Sequence, residues 1–169
     1  MDKITKKLAR CGIISALYVV LSLITLPICG SAIQLRISEG LTILCLFYPE
    51  ACFSMFFGCL ITNLISGSMV LDIIFGSLIS FIAGILTFAI GRVIKKAVLR
   101  VIIGGLFPVL LNAFLLPLIW YFCYGKLEYL YILQVAFLVA SQGISVYGVG
   151  SIIYLAIEKG QKGGQSFLM

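Results

Sequence analysis

Apolar residues run almost without interruption through 11–28, 69–91, 101–124 and 129–157. A helix rising about 1.5 Å per residue needs roughly 20 such residues to cross a hydrocarbon core of about 30 Å. Each stretch is near or above that length, so each predicts one membrane-spanning helix.

The stretch 40–65 is less simple. Its length suits one span, but Pro49 and Glu50 stand in its middle. Proline removes a backbone donor and clashes with the preceding turn. A carboxylate at the bilayer centre costs roughly 3 kcal/mol or more. The pattern therefore allows either one broken span or two short helices turning at Pro49-Glu50.

Charge decides between them. Lys3, Lys6, Lys7 and Arg10 precede the first run. Arg92, Lys95, Lys96 and Arg100 form a central cluster, and Lys159 and Lys162 lie near the C-terminus. Basic residues collect on the cytoplasmic side of membrane proteins. A single span at 40–65 would put the central cluster outside. Two short helices put all three clusters inside, with only Arg36 and Lys126 elsewhere among the 12 basic residues. The expectation is an all-α bundle of six transmembrane helices forming a single membrane domain over residues 1–169. Its tails, 1–8 and 158–169, would be cytoplasmic. Segments 29–37, 66–69 and 125–129 would face outward. Short segments of this kind often border a substrate site in transporters.

Composition agrees with lipid as the solvent. Of 169 residues, 62% are hydrophobic and 11% charged, against about 25% charged in an ordinary soluble domain. The mean hydropathy is +1.21. The basic start followed by an apolar run resembles a signal peptide, but no small-residue cleavage site follows and further spans come after it. The net charge of +6 is explained by topology better than by nucleic acid.

There is no histidine, which removes the usual general base and the commonest metal ligand. No acidic metal cluster stands in its place, so a lipid-modifying enzyme is disfavoured, and the expectation is a non-enzyme with no catalytic residue and no metal. Cys11, Cys29, Cys45, Cys52, Cys59 and Cys123 form no CxxC pair. They read as small buried hydrophobes rather than as a zinc or disulfide framework. No Walker motif is present, so any ATP must be used by a partner.

Polar groups inside apolar runs are functional candidates by default. Arg36 and Glu39 are spaced to pair on a helix, either as an interfacial ion pair or as a charged edge of an outward pocket. Asp72 opens the fourth helix, as a cap or as an acceptor for ligand N–H groups. Asn63 closes the third helix, as a cap, an interhelical bond or a ligand contact. Asn112 lies between Pro108 and Pro117, where it could satisfy freed carbonyls. Gln134, Ser141 and Gln142 read first as interhelical glue. Trp120, Tyr121, Tyr124, Tyr129 and Tyr131 form an interfacial aromatic belt, of which one or two could stack on a flat ring. Glu50 reads as turn chemistry. Gly12 and Ala16, with Ala9 and Ser15 nearby, allow close approach of another helix.

The run Gln34-Leu35-Arg36-Ile37-Ser38-Glu39-Gly40-Leu41-Thr42 resembles the IQxRxSEALT signature of QueT-type proteins. Pro49-Glu50-Ala51, Gly58 to Asn63, Leu71 to Leu78 and Pro108 to Ala113 follow in the family's order. The resemblance covers about residues 9–150. Gly40 departs from it, since the family often has alanine there. The resemblance implies the substrate-binding (S) component of an energy-coupling factor (ECF) importer for a queuosine precursor, a 7-deazaguanine such as 7-aminomethyl-7-deazaguanine or queuine. It implies partners: an EcfT-like transmembrane coupling subunit, met through Ala9, Gly12 and Ala16, and two cytoplasmic ATPases that use the ATP. The chain itself would hold no cofactor. Substrate contacts are then expected among Arg36, Glu39, Asn63, Asp72, Asn112, Trp120, Tyr131 and Gln134. The alternatives are an S component for another vitamin and a non-transport assembly protein of the membrane.

Overall fold

A computed structural model of the chain describes residues 2–29, 35–125 and 130–162. Among these residues every regular element is helical. Helix α1 spans Lys3–Cys29. A 3-10 helix, Ile37–Leu46, follows, then α2, Glu50–Ile65. Helix α3 runs over Asp72–Val93 and opens with a π-helical turn at Asp72–Gly76. Helix α4 is Ala97–Tyr124. Helix α5 starts at Tyr131, passes a π-helical turn at Ile144–Val149 and ends at Lys162.

Four of these helices, α1, α3, α4 and α5, are long and apolar enough to cross a membrane. The 3-10 helix and α2 are shorter, with 10 and 16 residues. At about 2.0 and 1.5 Å per residue they reach roughly 20 and 24 Å, less than a hydrocarbon core. The six-helix expectation thus resolves into four helices of spanning length and two shorter apolar ones. The break falls at the expected place. Pro49, at φ −63°, stands at the N-cap of α2, where its missing N–H leaves no helical bond unmade. Residues 3–8 and 158–162, assigned to tails by the sequence, continue α1 and α5.

The 3-10 helix is the centre of the molecule. Ser38 through Leu46 are all buried, and they pack against α1, α2, α3, α4 and the π-helical turn and second half of α5. Leu41 and Leu44, three apart and so on one face, pack with α1 and α2, while Ile43 and Leu46 on another face pack with α4 and α5. Close approach is possible because of small residues. A Cβ on Gly40 would stand 2.7 Å from the Ser145 carbonyl oxygen, and one on Gly150 would stand 2.5 Å from Ile43.

Hydrogen bonds fasten the long helices in pairs. Ser54 Oγ on α2 donates to the Cys11 carbonyl at 3.1 Å, and Ser15 Oγ returns a bond to the Ser54 carbonyl at 3.3 Å. Thr87 Oγ1 on α3 donates to the Gly104 carbonyl of α4 at 2.9 Å. Tyr147 hydroxyl on α5 donates to the Ile102 carbonyl at 2.9 Å.

Basic side chains gather where α1 begins, α3 ends and α4 begins. Arg10 pairs with Glu50 and lies 4.3 Å from the Tyr48 ring centroid. Arg100 donates to the Leu46 carbonyl and stacks on Phe47. Both arginines thus hold the turn at 47–50. Glu50, expected to act within its own turn, instead anchors α1 to α2 through a nearly buried ion pair.

Candidate functional site

At the opposite end of the bundle the elements enclose a cavity of about 360 Å³. Its wall is built by the end of α1 (Ser22, Leu26), by Arg36 before the 3-10 helix, and by the last turn of α2 (Thr62, Asn63, Ser66). Ser68, Asp72 and Gly76 at the start of α3, with Leu116 and Trp120 of α4, complete it. A cavity of this size is within the range that holds small organic ligands.

Asp72 reaches this cavity from the π-helical turn that opens α3. Its Oδ1 accepts a hydrogen bond from the Trp120 indole Nε1 at 2.8 Å. The carboxylate therefore fixes the ring of the chain's one tryptophan instead of capping its own helix. Asn63 Nδ2 donates to the Asp72 backbone carbonyl at 3.1 Å and to Cys59 Sγ at 3.5 Å. These bonds tie α2 to the wide turn of α3 and set the direction of the amide. Asn63 Oδ1 and Thr62 Oγ1 are buried and have no hydrogen-bond partner among the described residues. Ser66 and Ser68 hydroxyls stand 2.9 Å apart at the rim.

Four of the eight expected contact residues therefore share one cavity: Arg36, Asn63, Asp72 and Trp120. Glu39 and Asn112 are together, but behind its wall. Glu39 is 2% exposed. Its Oε1 accepts from the Tyr18 hydroxyl at 2.6 Å and its Oε2 from Asn112 Nδ2 at 3.4 Å. Asn112 thus serves Glu39 rather than the carbonyls freed by Pro108 and Pro117. Next to this group Ser22 Oγ donates to Ser38 Oγ at 2.6 Å. Gln134 is buried on α5, with Oε1 unpartnered among the described residues, as is that of Gln142 about two turns further along. Tyr131 hydroxyl donates to the Phe114 carbonyl at 3.1 Å and joins α5 to α4 outside the cavity. Ser141 bonds within its own helix. Gln34, Lys126, Glu128 and Tyr129, and the chain from 163 onward, lie outside the described residues, as do the side chains of Cys29, Cys123 and Tyr124.

Sequence reasoning passed over Thr62, Ser66, Ser68, Ser22 and Tyr18. Serine and threonine in membrane helices commonly bond their own helix or a neighbour, so their presence alone carried no signal. The unmet hydroxyl of Thr62 becomes visible only with its neighbours in place. The small residues Ala9, Gly12 and Ala16 lie on an exposed face of α1, and a Cβ on Gly12 would meet nothing within 4 Å.

No curated protein and no solved structure matches the chain. The model of the QueT transporter family matches residues 8–159. That match takes in the cavity, the central 3-10 helix and the greater part of all four helices of spanning length, and by it the chain belongs to the QueT transporter family, a membrane transport protein.

Proposed function

We propose that the chain is the substrate-binding (S) component of an ECF-type importer, and that the cavity at the Asp72 end binds a queuosine precursor of the 7-deazaguanine class. Membership of the family supports the class of substrate. The observation that carries the reading to this site is the pairing of Asp72 with Trp120 at the cavity wall. A locked indole offers a flat face on which a heteroaromatic ring stacks. Asp72 is engaged by Trp120 through Oδ1, and in this reading its carboxylate also takes adjacent N–H donors from a guanine-like edge. Arg36 in the same wall faces the acceptor side of such a ring. Glu39, Asn112 and Gln134 support the site from behind, and Tyr131 fixes the helix pair beside it.

All six helices cross or enter the membrane in this proposal. The end bearing Arg10, Arg92 and Arg100 is cytoplasmic together with both termini, following the distribution of basic residues, and the cavity opens outward. The chain needs an EcfT-like coupling subunit and two ATPase subunits, because it carries no Walker motif. It contributes no cofactor of its own.

Isothermal titration of the purified protein with 7-aminomethyl-7-deazaguanine tests the reading. Binding is expected for the parent, and Asp72→Asn should weaken it at least about tenfold, equivalent to about 1.4 kcal/mol. Absence of binding by folded parent protein, or parental affinity in folded Asp72→Asn, would overturn this assignment of the site.

A further inference from the structure

Two adjacent residues in the cavity wall end in oxygen atoms that nothing in the described protein satisfies: Thr62 Oγ1 and Asn63 Oδ1. Both residues are more than nine-tenths buried, at 5% and 2% exposure. Leaving such groups unmet is unfavourable, and native structures avoid it without a reason.

The local alternative was available to Thr62. A helical threonine ordinarily donates to the carbonyl three or four residues earlier. Thr25 does so on α1, at 3.0 Å from the Leu21 carbonyl. Thr62 does not, although it too lies in a helix. Asn63 has no freedom to turn its oxygen elsewhere. Its Nδ2 is held by the Asp72 carbonyl and Cys59 Sγ, so Oδ1 keeps one direction. The pair is thus an acceptor in fixed orientation beside a hydroxyl that both donates and accepts.

We infer that Thr62 and Asn63 are specificity-determining residues that pair with the amino-bearing edge of the ligand. The inference rests on the reading that the cavity takes a 7-deazaguanine. A carboxylate satisfies one pair of donors on that edge. The second hydrogen of the exocyclic amine and the ring nitrogen beside it need further partners. Asn63 Oδ1 accepts the former, and the Thr62 hydroxyl serves the latter. The preference this creates is for a ring bearing the amine over the same ring without it, because an unpaired polar wall rejects a ligand that lacks the matching group.

Thr62→Val separates this role from a structural one. The hydroxyl has no partner among the described residues, so valine keeps the shape and removes only an unmet polar atom. Trp120, the one tryptophan, reports occupancy by its emission. Parent and variant are titrated with 7-aminomethyl-7-deazaguanine and with its analogue lacking the 2-amino group, and their melting temperatures are measured alongside. The expected result is a loss of at least about tenfold in affinity for both ligands, since both keep the ring nitrogen that the hydroxyl serves, with the preference for the aminated ligand retained through Asn63, and a melting temperature no lower than the parent's. Equal affinity in parent and variant would overturn the inference. So would a joint fall of affinity and melting temperature, which would make the hydroxyl structural. If the folded parent binds neither ligand, the assignment of the cavity itself fails, a result distinct from either of those.

Discussion

Buried polar side chains at two depths distinguish this bundle from a plain apolar one. At the cavity wall, Asn63 and Thr62 keep polar atoms unpaired beside the Asp72–Trp120 hydrogen bond. One layer deeper, Glu39 is fully engaged by Tyr18 and Asn112. From the sequence, Glu39 and Asp72 were both expected among the substrate contacts. The bonds that separate them join residues 21, 48 and 73 positions apart, and no local pattern encodes such partners. Tyr18→Phe isolates the deeper layer. It removes a donor to a buried carboxylate without changing the ring, so Glu39 keeps only the longer bond from Asn112. A lost hydrogen bond to a charged group costs about 1.5–3 kcal/mol. A midpoint shift to that extent is expected in thermal melting of the detergent-solubilised protein. An unchanged melting curve would show that the Tyr18 bond adds nothing to stability.

At the scale of elements, the four long helices were legible because each carries an unbroken apolar run of spanning length. The break at Pro49-Glu50 was legible only when the basic clusters were required to share one side. The 3-10 geometry of Ile37–Leu46 and the π-helical turns at Asp72–Gly76 and Ile144–Val149 were not. An element buried all round has no polar face from which to read its period, and one extra residue in a turn leaves hydrophobicity unchanged. The departure of Gly40 from the alanine common in the family now has a physical reason. In this chain the 3-10 helix crosses α5 so closely that a Cβ would stand 2.7 Å from a backbone oxygen. Backbone cannot rotate aside as a side chain can. Gly40→Ala should therefore cost about 1–3 kcal/mol, the usual range for overpacking. For a chain of this length that is about 2–4 °C of melting temperature per kcal/mol. Gly12→Ala, on an exposed face, is the control and should melt like the parent.

The whole molecule presents two ends and one unusual face. Arginines brace the turn at 47–50 at one end, and the cavity occupies the other, with the buried 3-10 helix and the Glu39 group between them. In the proposed function the chain passes the state of its cavity to a coupling subunit through some surface. Helix α1 is suited to this. Its inner face supplies Tyr18 and Ser22 to the polar layer, while Ala9, Gly12 and Ala16 are exposed. Small side chains three and four apart let a second helix approach its backbone within lipid, where no hydrophobic effect favours association. Space around Gly12 is open to 4 Å, so added bulk there meets no atom of this chain. The double variant Gly12→Leu, Ala16→Leu should consequently fold, melt near the parental temperature and bind ligand with parental affinity. It should nonetheless fail in uptake by cells that express the full transporter, and fail to copurify with the coupling subunit. Uptake at the parental rate would remove this face from the coupling contact. Loss of ligand binding together with uptake would mean instead that bulk on the outer face of α1 disturbs the Tyr18 side, and that Gly12 and Ala16 serve the internal packing of the bundle.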